Sequence, residues 1–593
     1  MEQNNFLHNL LKKQYQREND ISMIFEKNKE EMNYSWLQVK NNIQALASFF
    51  LDSGLEIQDK VGIFSNNSPE WHFVDFACLQ SRMCVVPIYP TTMEKHLEHI
   101  VNDSGLKIIF VEGEEQLNKI NAVKDNCPSL EKVILMKDNG VLDICFDYID
   151  NDKIRIEDLN EIENSIQKED LVTLIYTSGT TGMPKGVMLD NENFSAAIDA
   201  NKERISVSKK DRSLCFLPLS HVFERAWSYY VMVCGGQNYY IDNPQNVAKL
   251  IKKAQPTLMS SVPRFFEKIY TKVQTDLDNA SSSKRKIFKW ATRVGRKIFA
   301  RKMNNEMIGP FLYLQFLAAE KLVFSKFKDS FGGKVRFFNC GGAALQDDVN
   351  MFFQSLSLPI IYGYGLTETL ATVSCYTKIP AIGSIGKPIK GVEVKIDKEN
   401  NDEILVRGAS ITKGYYKLSE ENSKSFTEDG WFRTGDAGRI DSEGNLYYTE
   451  RIKELMKTSN GKYVAPQNVE GTIMKDKFVD QIAIVAEGET FVSALIVPDY
   501  HLLEEYAKEK AIAFKDKKEL LEHTDIKKML EDRLKEVQEN LHGFEKVKKF
   551  KLLEKPFSVL ENEITPTLKL KRKVIMKKYK HLIDEIYNKK KKK

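Results

Sequence analysis

The chain has 593 residues, of which 42% are hydrophobic and 29% charged, and its formal net charge is +4. This length exceeds what one hydrophobic core usually serves, so we expect two or more domains. The small net charge does not indicate a nucleic-acid partner, and no window approaches the roughly 18 uncharged apolar residues that span a bilayer.

The N-terminal residues lack the apolar core of a signal peptide. The eight cysteines are scattered, and none belongs to a C-x-x-C pair. Both features predict a cytoplasmic protein with reduced thiols, either soluble or peripheral on the inner face of a membrane. The oligomeric state is not predicted.

Helical and strand patterns alternate between residues 34 and 135. Helices are predicted at 36–51, 71–79 and 94–101, and short apolar strands at 61–64, 85–89 and 107–111. The alternation resumes at Leu171 and continues to about Ile361. This pattern predicts an α/β fold with mostly parallel, doubly wound sheets, whose ligands bind beyond the carboxyl ends of the strands.

The composition changes twice in the second half of the chain. After about residue 383, short strands and turns predict a small β subdomain at 383–450. Beyond Arg451, lysine-rich helical patterns and further strands predict a small α+β domain. We therefore expect an N-terminal domain at 1–450 and a C-terminal domain at 451–593.

Residues 176–187 read YTSGTTGMPKGV and follow a predicted apolar strand at 171–176. Glycines let the backbone approach a ligand, hydroxyl and amide groups surround phosphate oxygens, and the lysine adds positive charge. The segment therefore predicts a polyphosphate-binding loop. It is not the common P-loop, because Met-Pro separates Gly182 from Lys185, Gly186 follows the lysine, and we expect Pro184 to prevent a helix from starting directly behind the phosphates. The candidate binding residues are Thr177, Ser178, Gly179, Thr180, Thr181, Gly182 and Lys185.

Three further glycine-rich segments accompany this loop. Residues 362–369 read YGYGLTET, where a tyrosine can stack on a base, Thr367 can donate to phosphate and Glu368 can hold magnesium. Residues 339–345, NCGGAAL, predict a glycine turn after a strand, and in residues 430–438, GWFRTGDAG, Asp436 can accept two ribose hydroxyls. The candidate binding residues in the first two segments are Gly342, Ala343, Tyr362, Gly363 and Tyr364.

Taken in this order, the segments resemble those of the adenylate-forming acyl-CoA synthetases, the superfamily shared with luciferases and peptide-synthetase adenylation domains. The resemblance covers nearly the whole chain and implies ATP, Mg²⁺ and CoA as ligands. It implies that Tyr364 stacks on adenine, that Asp436 and Arg451 hold the ribose, and that Thr177 and Glu368 coordinate magnesium. It further implies that Lys453 is a hinge and that Gly461 lies in a loop used in a second reaction.

The same resemblance implies a catalytic lysine near the C-terminus, where residues 565–572 read TPTLKLKR. Lys569 is the first choice, because Leu570 and then Arg572 follow it as in the family pattern. Lys571 remains an alternative. Thr-Leu replaces the Ser-Gly that precedes this lysine in many members, which resembles the long-chain fatty-acid branch.

Two other segments and an insertion also resemble long-chain acyl-CoA synthetases: LPLSHVFER at 217–225, VPRFFEK at 262–268, and the insertion at about 270–333. By analogy His221 lies near the substrate carboxylate, although a lone histidine is often only structural. His96 and His99 lack an apparent third metal ligand and are interpreted as ordinary helix residues.

The predicted function is ATP-dependent activation of long-chain fatty acids. Carboxylate and Mg-ATP give acyl-adenylate and pyrophosphate, and CoA then gives acyl-CoA and AMP. Three alternatives stay open: ligation to AMP or an acyl carrier protein, ligation of a different acid to CoA, and a catalytically silent protein that binds nucleotide and lipid.

Residues 284–301, from Lys284 to Arg301, combine apolar residues at helical spacing with many lysines and arginines. Such a basic amphipathic helix can lie on an anionic membrane. The alternative, which we favour, is a helix packed on its own domain with a solvated basic face.

Overall fold

Alternating strands and helices build the first part of the computed structural model, which describes residues 6–27, 29–138, 141–142, 154–177, 183–377, 380–559, 561–565 and 569–588. The elements are α1 Leu7–Lys12, β1 Ile21–Lys27, β2 Glu30–Ser35, α2 Trp36–Asp52, β3 Lys60–Phe64, α3 Pro69–Gln80, β4 Cys84–Ile88, α4 Glu94–Ser104, β5 Ile108–Val111, α5 Glu114–Asn121, β6 Lys132–Leu135, β7 Lys137–Asp138, β8 Val141–Leu142, α6 Ile156–Asn164, β9 Leu171–Thr177 and β10 Lys185–Asp190.

The middle of the chain continues the alternation and adds a group of longer helices. Its elements are α7 Asn191–Arg204, β11 Arg212–Cys215, α8 Val222–Val233, β12 Gln237–Tyr240, α9 Val247–Ala254, β13 Leu258–Ser261, α10 Pro263–Asp278, α11 Ser282–Met303, α12 Pro310–Ala319, α13 Ser325–Asp329, β14 Phe337–Cys340, α14 Asp347–Ser355, β15 Ile360–Tyr364, β16 Ser374–Cys375 and β17 Lys387–Pro388.

The last part contains the short strands of the β subdomain and the C-terminal helices. Its elements are β18 Val392–Asp397, β19 Glu403–Gly408, α15 Ser419–Ser425, β20 Phe432–Ile440, β21 Leu446–Arg451, β22 Met456–Lys457, β23 Tyr463–Val464, α16 Pro466–Ile473, β24 Val479–Val485, β25 Ser493–Pro498, α17 Tyr500–Glu509, α18 Lys517–Glu522, α19 Thr524–Val537, β26 Lys549–Leu552, α20 Arg572–Lys578 and α21 Lys580–Ile586.

Two large sheets form the body of the N-terminal domain. Within the described residues, one has the strand order β17-β16-β15-β14-β13-β11-β12-β1-β2 and the other β10-β9-β4-β3-β5-β6. Strands β11 to β15 pair in parallel, as do β3 with β4 and β5, β5 with β6, and β4 with β9. The predicted α/β fold with mostly parallel sheets is therefore confirmed.

One connection departs from the predicted alternation. The segment after the polyphosphate loop is strand β10, which pairs antiparallel with β9 so that Lys185 lies opposite Thr177. Pro184 fits this arrangement, since it lies one position before the first paired residue, Lys185, where its missing N–H removes no hydrogen bond from the ladder. The loop therefore joins the two strands of a hairpin, and both of its ends belong to one sheet.

Helix boundaries follow local capping signals that apolar periodicity alone does not contain. Helix α3 begins two residues before the predicted 71–79, because the Ser68 hydroxyl accepts a hydrogen bond from Trp71 N at 3.2 Å and Pro69 takes the first helical turn. Helix α2 begins at Trp36 as predicted, with a capping box between Ser35 and Gln38.

The β subdomain and the small C-terminal part follow the large body. Strands β18 to β21 form an antiparallel sheet, in which Asp436 of β20 lies opposite Arg451 of β21. Beyond it, β24, β25 and β26 form a separate sheet. Three apolar clusters, drawn from residues between 456 and 587, give this part its own core. The large N-terminal and small C-terminal domains are thus confirmed, while the exact boundary at 450 stays a prediction.

The basic segment at 284–301 belongs to helix α11, which packs on its own domain. Ala291, Val294 and Ile298 are buried along one side. Gly295 approaches α14 so closely that a Cβ atom there would come within 1.8 Å of the Ser355 carbonyl oxygen. The packing of α11 on its own domain is as the favoured interpretation expects, whereas this packing does not test membrane contact of its basic face. Among the described residues, no helix combines the length and the apolar character needed to cross a bilayer.

The described cysteines are free thiols, and all except Cys234 are buried. The sequence contains no cysteine after Cys375, so the C-terminal domain has none.

Candidate active site

The polyphosphate loop is fixed at both ends by contacts with helix α4. The Tyr176 hydroxyl donates to Asp103 Oδ2 at 2.6 Å, and His99 Nε2 lies 2.9 Å from the carbonyl oxygen of Pro184. Thr177 ends strand β9, whereas the predicted residues 178–182 lie outside the described part of the chain. His99, interpreted from the sequence as an ordinary helix residue, thus helps to position the loop.

The Lys185 side chain contacts other side chains and does not simply project into solvent. Its ammonium group forms an ion pair with Glu421 and lies 5.4 Å from the ring centroid of Tyr415. The hydrogen bond from Lys185 is the main reason that the pKa of Glu421 lies below its usual value. The lysine is therefore held at the edge of the loop, where an anionic ligand could displace Glu421.

Tyr364, Asp436 and Arg451 come together from two sheets. The Tyr364 hydroxyl donates to Asp436 Oδ2 at 2.6 Å. Arg451 Nε lies 3.1 Å from Asp436 Oδ1, yet that oxygen receives no hydrogen bond of good geometry from any described residue. Asp436 is only 1% exposed, and burial raises its pKa although Arg451 and Tyr364 oppose the shift. A buried acceptor atom with unused capacity suits a ligand hydroxyl such as that of ribose.

Glu368 lies in a short helical turn at Thr367–Thr369 after β15. Its Oε1 accepts a hydrogen bond of 2.8 Å from the Tyr415 hydroxyl, which leaves Oε2 outside that bond. The described residues contain no cluster of three or more His, Cys, Asp or Glu side chains that could hold a metal. The Glu368 carboxylate and the Thr177 hydroxyl are oxygen ligands of the kind that Mg²⁺ takes, and Mg²⁺ commonly takes the rest of its ligands from water and substrate phosphates.

The turn at 341–345 is supported by Tyr362. Its hydroxyl donates to the Ala343 carbonyl at 3.0 Å and accepts from Leu345 N at 3.1 Å. Gly342 has a φ of +86°, which only glycine adopts without strain, and both it and Ala343 are exposed. The buried ring of Tyr362 thus shapes the turn, whose backbone is available to a ligand. Gly363 in β15 is needed for close packing, since a Cβ atom there would lie 2.9 Å from the Ser374 carbonyl oxygen.

Lys453 and Gly461 lie where the chain enters the C-terminal domain. Lys453 is exposed in the turn that follows β21, in which Leu455 N donates to the Arg451 carbonyl at 3.0 Å. Gly461 has a φ of +76° in the hairpin between β22 and β23, is exposed, and has open space around its Cα. These positions are compatible with a hinge and a mobile loop, and both roles stay predictions.

Two hydrogen bonds join Lys569 to Thr565: Lys569 N donates to the Thr565 hydroxyl at 3.0 Å, and Thr565 N donates to the Lys569 carbonyl at 2.8 Å. The Lys569 side chain is solvent-accessible. Its pKa is nevertheless lowered, firstly because surrounding protein atoms disfavour the charged ammonium form and secondly because of the charge of Arg451. The carboxylates of Asp436, Glu454 and Glu368 act in the opposite direction. The Lys569 ammonium group is therefore within electrostatic range of the candidate ribose residues Asp436 and Arg451 and of the candidate magnesium residue Glu368.

Lys571 has different surroundings. Its ammonium group donates to the Asn562 side chain within the C-terminal domain, and burial, followed by the charge of Lys571, lowers the pKa of His96. The charges of Asp436 and Glu368 thus act on Lys569, whereas the lowered pKa of Lys571 arises from burial.

His221 precedes helix α8 and is kept neutral. Its Nδ1 accepts a hydrogen bond of 3.1 Å from Phe223 N, so the proton of the neutral ring lies on Nε2. Burial, followed by the charge of Lys569, lowers the pKa of His221 to about 4. A neutral histidine near Lys569 can donate one hydrogen bond to a carboxylate.

Several residues that contact the candidate site residues or lie beside them belong to none of the predicted motifs. Tyr415 and Glu421 hold Glu368 and Lys185, and Arg572 makes hydrogen bonds of 2.5 and 2.6 Å with the two carboxylate oxygens of Glu470. None of them lies in a glycine-rich motif. The only available signal was the position of Arg572 directly after the candidate lysines.

Comparisons with known proteins agree with this arrangement. The family model of AMP-binding enzymes matches residues 11–416, and that of the AMP-binding enzyme C-terminal domain matches residues 453–591. A long-chain-fatty-acid–CoA ligase of Mycobacterium bovis is 30% identical, and the aligned region covers 97% of this chain and 98% of that protein. Fatty acyl-CoA synthetase A of Dictyostelium discoideum is also 30% identical, with 93% and 86% covered.

Among solved structures, the adenylation domain of the carboxylate reductase from Mycobacterium chelonae superimposes with a TM-score of 0.78 at 21% identity, covering 98% of this chain and 91% of that one. This likeness concerns the fold alone. The two family matches and the full-length relatives show that the chain belongs to the AMP-binding enzymes, within the adenylate-forming acyl-CoA synthetase superfamily.

Proposed function

We propose that the protein activates long-chain fatty acids in two steps at one site. The fatty carboxylate first attacks the α-phosphorus of ATP, which gives acyl-adenylate and pyrophosphate. The thiol of CoA then attacks the acyl carbon and releases AMP. The observation that supports this proposal is the electrostatic influence of Arg451, Asp436 and Glu368, in the N-terminal part, on Lys569 of the C-terminal domain.

The N-terminal domain binds ATP in this proposal. The ring of Tyr364 stacks on adenine, while Asp436 and Arg451 hold the ribose through the unused acceptor capacity of Asp436. The loop at 177–182 and Lys185 hold the phosphates that leave as pyrophosphate, with Lys185 exchanging Glu421 for a phosphate oxygen. Glu368 and Thr177 would hold Mg²⁺, which when bound neutralises phosphate charge.

Lys569 acts in the first step. Its ammonium group stabilises the negative charge that develops between the carboxylate and the α-phosphate, in surroundings where such a charge is effective. His221, neutral and with its proton on Nε2, orients the fatty carboxylate. No side chain of this protein needs to become acylated.

The second step requires a different arrangement of the two domains. Rotation about Lys453 withdraws Lys569 and brings the hairpin of Gly461 to the site, where CoA enters. A long-chain fatty acid as substrate is supported by two full-length relatives named a long-chain-fatty-acid–CoA ligase and a fatty acyl-CoA synthetase. The proposed location is the cytoplasm.

Separate assays of the two half-reactions test this proposal. Lys569→Ala should slow pyrophosphate release by about 100-fold or more, the usual effect of removing one transition-state charge, while CoA still reacts with supplied acyl-adenylate. Lys571→Ala is the matched control and should retain both half-reactions. Normal adenylate formation by Lys569→Ala would contradict the assigned role.

The substrate and the acceptor are tested with fatty acids of graded chain length, with and without CoA. AMP release should depend on CoA and be greatest for long chains. Adenylate that accumulates regardless of CoA would instead indicate a fatty acyl-AMP or acyl carrier protein ligase.

A further inference from the structure

Helix α12 exposes an apolar surface that the fold does not cover. Its ten residues, PFLYLQFLAA, include no charged side chain, and only Ala319 is fully buried. Phe311 is 75% exposed, Leu314 is 63% exposed, and Met307 in the preceding loop is 89% exposed. Tyr313, Leu317 and Leu322 are also among the exposed large apolar side chains.

The opposite side of the helix already serves the core. Leu312 and Phe316 pack against the apolar cluster of the larger sheet, and the ring of Phe316 lies 6.0 Å from that of Phe324. A helix that is apolar all round normally lies inside a protein or in a membrane. One side of α12 is in contact with its domain and the other is exposed, and an exposed apolar patch of this kind is typical of a surface that binds an apolar partner.

The charge around this surface distinguishes between possible partners. Residues 282–329 contain twelve Lys or Arg and three Asp or Glu, a formal charge of +9, compared with +4 for the whole chain. Helix α11, which packs along α12, contains nine of these cations and no acid. Among the described residues, no carboxylate forms an ion pair with Lys286, Lys289, Arg293, Arg296 or Lys297.

A concentrated positive charge disfavours a second copy of the chain on this face, because like charges would meet. A nucleic acid would satisfy the charge and leave the rings and Leu side chains of α12 exposed. An anionic lipid bilayer satisfies both properties, since its headgroups attract Lys and Arg while its acyl region accepts Phe and Leu.

We infer that helix α12 is a membrane-docking element, which inserts Met307, Phe311 and Leu314 into the interfacial region of an anionic bilayer while α11 supplies the cationic contacts. The surface formed by α11 and α12 is distinct from the candidate active site, and docking through it does not depend on which acid the enzyme activates.

Flotation of the full-length protein with phosphatidylcholine vesicles, with and without phosphatidylglycerol, tests this inference. The protein should bind vesicles that contain phosphatidylglycerol and should bind phosphatidylcholine alone much more weakly. The double variant F311S/L314S should lower the partition coefficient by about tenfold or more, as expected for the loss of two inserted apolar side chains. Its matched control is M32S/I57S, which removes two exposed apolar side chains elsewhere.

The cationic contribution is tested in the same assay with K289E/R296E, for which K249E/K252E in α9 is the matched control. Only the α11 variant should lose binding, and salt should weaken binding of the unaltered protein. Adenylate formation from a soluble short-chain acid should be unchanged in every variant, which separates loss of docking from loss of folding or function.

Two results would overturn the inference. One is vesicle binding by F311S/L314S equal to that of the unaltered protein. The other is self-association that disappears in F311S/L314S while vesicle binding persists, because the apolar surface would then be an interface between copies of the chain.

Discussion

At the scale of single residues, the acid–base properties of the site depend on where side chains are buried. Tyr364, Asp436 and Arg451 were identifiable from sequence because each belongs to a contiguous, chemically distinctive segment. Tyr415 and Glu421 were not, because they reach Glu368 and Lys185 only through the folded chain, across separations of 47 and 236 residues. The sequence also does not show which charged groups surround Lys569 and Lys571 in the folded chain, and these groups distinguish the two lysines.

The lowered pKa of Lys569 predicts a pH dependence for the first half-reaction alone. Lysine is charged below its pKa, so adenylate formation should fall as pH rises through a value below the ordinary 10.5 of lysine. The profile of kcat/KM reports the free enzyme and is the quantity to measure.

Lys569→Arg is the control for this profile, because a guanidinium stays charged in proteins. The variant should lose the alkaline decline while its rate below that range stays lower than that of the unaltered enzyme. An unchanged decline in Lys569→Arg would assign it to another group.

Tyr364→Phe tests the hydrogen bond between Tyr364, the candidate adenine-stacking residue, and Asp436, a candidate ribose-binding residue. The substitution keeps the ring for stacking but removes the 2.6 Å hydrogen bond to Asp436. Because Asp436 is buried, the loss should raise the KM for ATP about tenfold, equivalent to about 1.4 kcal/mol. The same substitution at the exposed Tyr463 should leave this KM unchanged; an equal effect there would argue against a specific contact.

At the scale of elements, apolar periodicity identified most helices and strands between residues 34 and 135. Where observed and predicted ends of these elements differ, they differ by one to three residues. It did not identify the β9–β10 hairpin, because strand direction is decided by pairing and not by the pattern within a strand. Nor did it single out α12, whose uniformly apolar sequence has no period to detect.

Gly295→Ala tests the packing of α11. The added Cβ atom would meet the backbone oxygen of Ser355, which can move only if α14 moves. Overpacking of this kind costs about 1–3 kcal/mol, so the urea midpoint of unfolding should fall. Gly309→Ala, where the added atom meets nothing within 4 Å, is the control and should leave the midpoint nearly unchanged. A similar loss in both variants would mean that the close approach is not tight.

At the scale of the whole molecule, ion pairs join the two domains in the arrangement that the proposed function assigns to adenylate formation. Lys475 forms an ion pair of 3.0 Å with Asp348, and Arg264 forms one of 3.0 Å with Asp480. These partners lie more than a hundred residues apart in sequence and carry no local signal. The sequence therefore predicted two domains and the family, but not the surface on which the smaller domain rests.

Lys475→Glu should shift the balance between domain arrangements. The reversed charge opposes Asp348, so adenylate formation should slow by severalfold while CoA transfer from supplied acyl-adenylate is preserved or faster. Lys508→Glu, on an exposed helix of the same domain, is the control. Equal slowing of both half-reactions would indicate general damage instead of a shift in arrangement.

The distribution of thiols makes such a shift directly observable. The C-terminal domain has no cysteine, and the described cysteines of the N-terminal domain are buried except for the half-buried Cys234. A cysteine introduced at Lys508 would therefore be the sole thiol on its domain. A fluorophore coupled there, with a second on the larger domain, would report the distance between them during turnover, and the two half-reactions would appear as two levels of energy transfer.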